Sequence, residues 1–145
     1  MIERLKQQIK HHEGFSGVPY QDTTGHTTIG YGLNLSANPL TPSEAEWLLD
    51  RRLMVLQSEL ETEFPVVRDI DDVRQAALLN MAYNLGLRGL GTFKRMWDAI
   101  GSRNWEKAAR EALDSRWAEI VRHVEQGGLP HVVNVPHHRE LSLQF

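Results

Sequence analysis

Ile2, Leu5 and Ile9 recur at the spacing of one helix face, and Glu13 continues their stripe to the point where Gly14 interrupts it. This predicts a first helix over 2–13. From Gly17 the helical period gives way to Val18-Pro19-Tyr20, a cluster of turn residues, Asp22-Thr23-Thr24-Gly25, and a stretch from His26 to Leu33 rich in Thr, Ile and Tyr. That pattern reads as a hairpin over 17–34, with Asp22 and Thr28 on facing arms. Thr41-Pro42-Ser43-Glu44 then forms a capping box with Pro at the first helical position, and Trp47, Leu48, Val55, Leu56 and Leu60 carry the helix toward Phe64-Pro65. A further helix starts near Asp71 or Asp72 and runs through Ala76, Leu79, Met81 and Tyr83 to Gly86. Its nearly unbroken apolar character marks a core element. The glycine-rich stretch 86–91 reads as a tight interhelix turn, followed by short helices over 93–100, over 105–113 and from near Arg116. Gly127-Gly128-Leu129-Pro130 breaks the last of these, leaving 126–145 as a tail with no predicted element.

The fold class is therefore α+β, mostly α. At 145 residues, with 41% hydrophobic and 24% charged, the chain has material for one compact domain, 1–145, and the helix from Pro42 is long enough to join two lobes. Trp105 and Trp117, at helical spacing in the C-terminal part, read as core rather than as sugar-stacking surfaces. No run approaches the roughly 20 apolar residues of a membrane span, and the first helix is amphipathic rather than a leader. No membrane insertion is expected, and export must come from elsewhere. The absence of Cys excludes disulfides, thiolate catalysis and Cys-based zinc sites, and suits a reducing cytoplasm.

Chemistry enters with three residues: Glu13, Asp22 and Thr28. Taken singly, each has an ordinary explanation, since a helix-end Glu is usually solvated, an Asp before Thr-Thr-Gly usually makes a turn, and Thr is a common strand residue. Together they put two carboxylates and a hydroxyl on one short segment, beside a Gly30-Tyr31-Gly32 run where a bulky ligand can approach backbone. Glu13 is expected at the edge of a buried face and at the negative end of a helix dipole, a setting that favours the protonated form a general acid requires.

Glu13-Gly14-Phe15, Pro19-Tyr20-Gln21-Asp22-Thr23-Thr24-Gly25 and Thr27-Thr28-Ile29-Gly30-Tyr31-Gly32 resemble the signature of the phage-type lysozymes, glycoside hydrolase family 24. The resemblance continues through 41–49, through Ala77 to Gly86, through Phe93 and Asn104 to Ala109, and into Ser115-Arg116-Trp117. It implies a lysozyme-like fold with a small N-terminal β-hairpin lobe, 14–45, and a helical lobe made of 1–13 and 65–125, joined by a long helix. It implies cleavage of the β-1,4 bond between N-acetylmuramic acid and N-acetylglucosamine in bacterial peptidoglycan, with host cell lysis as the outcome. On that reading Glu13 protonates the leaving oxygen, while Asp22 and Thr28 position water or stabilise positive charge. Gly32, Asn34, Tyr83 and Asn84 are the implied substrate contacts. No cofactor, metal or nucleic-acid partner is implied. The protein would be a monomer held in the host cytoplasm until a holin-type lesion lets it reach periplasmic peptidoglycan, with delivery in a virion as the other route.

The family usually continues past Ser-Arg-Trp with Gln, Pro and a basic helix, one Arg of which pairs with the catalytic Glu. Here Ala118 to Val124 replaces it, and Arg122, the nearest substitute, is out of register. The net charge of −3 is awkward for an anionic substrate, but it is unevenly spread. Residues 41–72 hold nine acidic against three basic side chains, whereas 94–122 hold seven basic against five acidic, either a more cationic face or a solvated mix. His11, His12, His131, His137 and His138 match no zinc spacing, and adjacent histidines on a helix cannot face one ion. His26, in the turn near Asp22, is either a solvated turn residue or one that tunes the pH response. Two rival functions are a catalytically silent peptidoglycan-binding module and an internal structural or regulatory domain. A transglycosylase outcome is the remaining alternative within the enzyme class. The joint presence of Glu13, Asp22 and Thr28 favours the hydrolase.

Overall fold

A computed structural model describes residues 1–113, and within them the elements follow the order that the patterning predicts. They are α1 (Ile2–Glu13), β1 (Ser16–Gln21), β2 (Thr27–Gly30), β3 (Leu33–Asn34), α2 (Pro42–Glu63), a 3-10 turn (Pro65–Asp69), α3 (Asp72–Leu90), α4 (Lys94–Gly101) and α5 (Trp105–Leu113). The helix expected from Arg116, with Trp117 and Arg122, and the tail with His131, His137 and His138 lie outside the described residues. Two compact units divide the chain, Met1–Asp50 and a second that begins at Arg51.

In the first unit the strands form an antiparallel sheet in the order β1-β2-β3. The expected second hairpin arm is two strands rather than one. Gly30 at φ 69° and Gly32 at φ 76° occupy the left-handed region that side chains disfavour, so the chain reverses around Tyr31 and brings Leu33 opposite Ile29. Thr28 thus sits on the central strand, facing Tyr20 on one side and Asn34 on the other. Pro19, which has no N–H to donate, falls where the β1–β2 register is irregular on an edge strand. The apolar stripe of α1 is present, but Ile2, Leu5 and Ile9 are exposed and the helix has no buried residue. The desolvation expected for Glu13 is therefore absent, since Glu13 too is exposed.

The second unit contains the apolar core. Leu60 from α2, Val67 and Ile70 around the 3-10 turn, Leu78, Met81, Ala82 and Leu90 from α3, Met96, Ala99 and Ile100 from α4, and Ala108 and Ala112 from α5 form one cluster. Small residues at Ala99, Ala108 and Ala112 leave room for the larger side chains to meet. Each fully buried Leu, Ile or Met contributes about 1.5–3 kcal/mol relative to exposure. Asp71 caps α3 by accepting from the Arg74 N–H at 3.2 Å, and its carboxylate also pairs with the Arg74 guanidinium. That pairing holds the Asp71 carboxyl below its ordinary range. Arg74 in turn lies over the Trp105 ring at 4.3 Å, and Trp105 packs against the core as expected.

Phe64 stacks face to face on Trp97, with ring centroids 4.1 Å apart, and the Trp97 indole N–H donates to the Leu90 carbonyl at 3.0 Å. The stretch expected as an interhelix turn, 86–91, is only partly one. Gly86 breaks the helix with φ 69° and ψ 162°, a conformation essentially restricted to glycine, and the chain then winds on to Leu90. α2 begins as its capping box dictates: the Glu44 carboxylate accepts from the Thr41 N–H at 2.8 Å and hydroxyl at 2.7 Å.

Candidate active site

The tight segment after β1 is organised by one carboxylate oxygen. Asp22 Oδ1 accepts from the Thr24 N–H at 2.8 Å, the Thr24 hydroxyl at 2.8 Å and the His26 N–H at 2.9 Å. This is the side-chain turn that Asp and Asn favour, with Gly25 supplying the positive φ of 81°. Oδ2 makes no hydrogen bond among the described residues; the His26 Nδ1 lies 3.7 Å from it. The two oxygens of one carboxylate are thus unequal, one committed to the turn and one available. The His26 N–H foremost, and then the Thr24 hydroxyl, hold the Asp22 carboxyl below its ordinary value of 3.8, and partial burial opposes them without prevailing. Asp22 is ionised at neutral pH.

The His26 carbonyl joins Asp22 to Thr28. It accepts from the Asp22 N–H at 3.0 Å and from the Thr28 hydroxyl at 3.2 Å. Thr28 is 3% exposed, and among residues 1–50 it is the one buried residue. Its hydroxyl proton is committed to that carbonyl, so its oxygen offers lone pairs rather than a donor.

Glu13 lies at the C-terminal end of α1, beside Gly32 of the loop between β2 and β3. Gly14, at φ 68°, turns the chain there while its N–H still bonds the Lys10 carbonyl at 3.2 Å. The Glu13 side chain rests on the backbone of Gly32, where a Cβ would lie 2.6 Å from Oε2 and 2.9 Å from Cδ. Tyr31 holds the same loop to α1. Its ring meets Phe15 at 5.3 Å between centroids and carries the Lys10 ammonium 5.3 Å above it.

Of the expected site residues, Glu13, Asp22, Thr28, Gly32 and Asn34 all belong to the first unit. Asn34 pairs with Thr28 across the sheet and uses its side-chain carbonyl to accept from the Ala37 N–H at 3.0 Å, so its amide N–H groups are the ones left over. Tyr83 and Asn84 belong to α3 of the second unit. Tyr83 is exposed, and the Asn84 amide donates back to the Asn80 carbonyl at 2.8 Å. Two contributors to the site were not among the expected residues: Thr24, which an Asp-x-Thr spacing signals as a side-chain turn, and Tyr31, whose aromatic contact across the chain has no local signal. Among the described residues no three His, Asp or Glu side chains come together as metal ligands would.

The phage lysozyme family model matches residues 10–131. The chain is 27% identical to the probable T4-type lysozyme 1 of Dictyostelium discoideum, over 81% of this chain and 86% of that protein. It is also 27% identical to the probable T4-type lysozyme 2 of the same organism, with the same coverage. The pre-baseplate central spike protein Gp5 of Enterobacteria phage T4 is 28% identical over 81% of this chain, but the match takes in 25% of that larger protein. The matched stretch spans Glu13, the Asp22 turn, buried Thr28 and the helices of the second unit, and the chain belongs to the phage lysozyme family.

Proposed function

We propose that this chain is a muramidase that hydrolyses the β-1,4 bond between N-acetylmuramic acid and N-acetylglucosamine in peptidoglycan. The observation that carries the reading is the division of labour within the first unit. Asp22 is held ionised with one oxygen free, Thr28 presents lone pairs, and Glu13 lies on bare backbone at a helix end. An ionised carboxylate cannot protonate a leaving group, so the acid role falls to Glu13.

In the proposed reaction Glu13 gives its proton to the glycosidic oxygen as the bond to the anomeric carbon breaks. A water molecule, held by Asp22 Oδ2 and the Thr28 oxygen as acceptors, forms the new bond to that carbon and leaves its proton on Asp22. The proton returns to Glu13 through solvent, restoring both groups. Gly32 and Asn34 supply backbone and amide contacts to the sugar. No helix among the described residues is long and apolar enough to cross a membrane. By the family resemblance we also assign access to periplasmic peptidoglycan, and host cell lysis, to a holin-type lesion, with the protein acting as a monomer.

The test is clearing of permeabilised bacterial cells by the wild type and by Glu13→Gln. Lysis by the wild type and at least a 100-fold loss in the variant is the expected result, in line with removal of a general acid. Equal clearing by both, or none by either, rejects the assignment; retention on peptidoglycan without cutting identifies a binding module. Product masses that lack the added water identify a transglycosylase.

A further inference from the structure

We propose that His26 is a positioning residue for Asp22, acting through Thr24 to fix which carboxylate oxygen is committed to the turn and which is left for the attacking water. This rests on the assignment of Asp22 above. The Thr24 hydroxyl oxygen lies 2.8 Å from Asp22 Oδ1 and 2.7 Å from His26 Nδ1. A hydroxyl has one proton, and an ionised carboxylate only accepts. The Thr24 proton therefore points at Asp22, and His26 Nδ1 must carry a hydrogen and donate it to Thr24. The reverse arrangement would set two lone pairs against each other across 2.8 Å.

Two consequences follow from that chain of donors. The neutral ring is the Nδ1–H tautomer, leaving Nε2 as its bare nitrogen, and the same chain persists when the ring takes up a second proton. Protonation then changes charge without changing geometry. The new positive charge sits 3.7 Å from Oδ2, the oxygen with no other partner. It draws on the lone pairs that the water needs and weakens Asp22 as a base. The His26 side chain is 51% exposed, so solvent reaches it directly. Asp22 is the charged group that faces it among the described residues. The flanking strand ends bring Gln21 and Thr27, which bond each other at 3.1 Å, and Ser36, all uncharged.

His26→Gln removes the ionisation, and Thr24→Val removes the relay. The backbone bonds from the His26 N–H and carbonyl to Asp22 and Thr28 do not depend on the side chain, so both variants fold. The measurements are kcat and KM on soluble peptidoglycan fragments across pH 4–9, together with nitrogen-detected NMR of the His26 ring. In the wild type, kcat falls on the acid side of the profile as the ring takes up its second proton. His26→Gln loses that ionisation while KM holds. Thr24→Val lowers kcat about tenfold, the worth of one hydrogen bond to a charged acceptor, and the double variant is no worse than Thr24→Val alone. NMR gives the Nδ1–H tautomer in the wild type and its loss in Thr24→Val. An Nε2–H tautomer in the wild type, an unchanged pH profile in His26→Gln, or an effect confined to KM overturns the proposal. Should the wild type fail to cut peptidoglycan while the Nδ1–H tautomer is found, the assignment of Asp22 fails and the His26–Thr24–Asp22 chain stands.

Discussion

Replacing Gly32 by Ala tests the placement of Glu13 with a single methyl group. At φ 76° the new side chain is strained by about 1–2 kcal/mol wherever its methyl points. The methyl would also lie 2.6 Å from Glu13 Oε2 and 2.9 Å from Cδ, so the carboxylate must retreat by about 0.8 Å to reach the 3.4 Å of ordinary contact. Glu13 is exposed and its end is flexible, so the retreat adds little to the loss of stability. For the chemistry it matters more: a misplacement near 1 Å lowers a catalysed rate by about 100-fold, or about 2.7 kcal/mol in the barrier. Gly30→Ala is the matched control, because Gly30 has a φ of 69° and nothing within 4 Å of a Cβ. The assay is initial clearing rate on permeabilised cells, with urea unfolding of the same preparations. Both variants should lose similar stability, and Gly32→Ala alone should lose about 100-fold in rate. Clearing by Gly32→Ala as fast as by Gly30→Ala would show that Glu13 does not depend on the bare backbone beside it.

Leu78→Ala, in the fully buried cluster, should lower unfolding free energy by about 2–5 kcal/mol in urea titration while leaving the clearing rate at low temperature near that of the wild type. Gly86→Ala should destabilise by about 1–3 kcal/mol, because its φ 69° and ψ 162° suit only glycine; a neutral result in thermal melting would mean the break does not need that residue. Asp22 makes a pH-dependent contribution whose sign is set by its lowered native value. The native state binds fewer protons than the unfolded chain below the ordinary 3.8, so the stability is full above that range and is lost as pH falls through the native value. Urea unfolding of Asp22→Asn should therefore differ from the wild type at neutral pH and converge with it in acid, and a gap that widens in acid would contradict the assignment.

What could be read from the residues was local. Thr41-Pro42-Ser43-Glu44 specified the start of α2 because its partners are three positions apart, and Asp71 likewise specified the start of α3. Glu13, Asp22 and Thr28 were legible as residue types at a suggestive spacing. The coupling of Asp22 to Thr28 was not, because it runs through the carbonyl of His26, and a backbone atom is the same whatever the residue. The contact of Glu13 with Gly32 was hidden for a related reason: an absent side chain has no pattern. The α1 stripe misled in the opposite direction, since periodicity shows that a helix has an apolar face without showing that anything buries it.

Among the described residues the apolar cluster runs from Leu60 to Ala112, while the first fifty residues bury a lone hydroxyl. Constraint is therefore of two kinds along one chain. In the buried cluster, a change of volume is felt at once, and a charge is excluded. In the sheet unit, what must be kept is a handful of proton positions, a few backbone angles and the bare backbone of Gly32. A designer wishing to alter working pH can edit the exposed side chains around those fixed positions and leave the apolar cluster untouched.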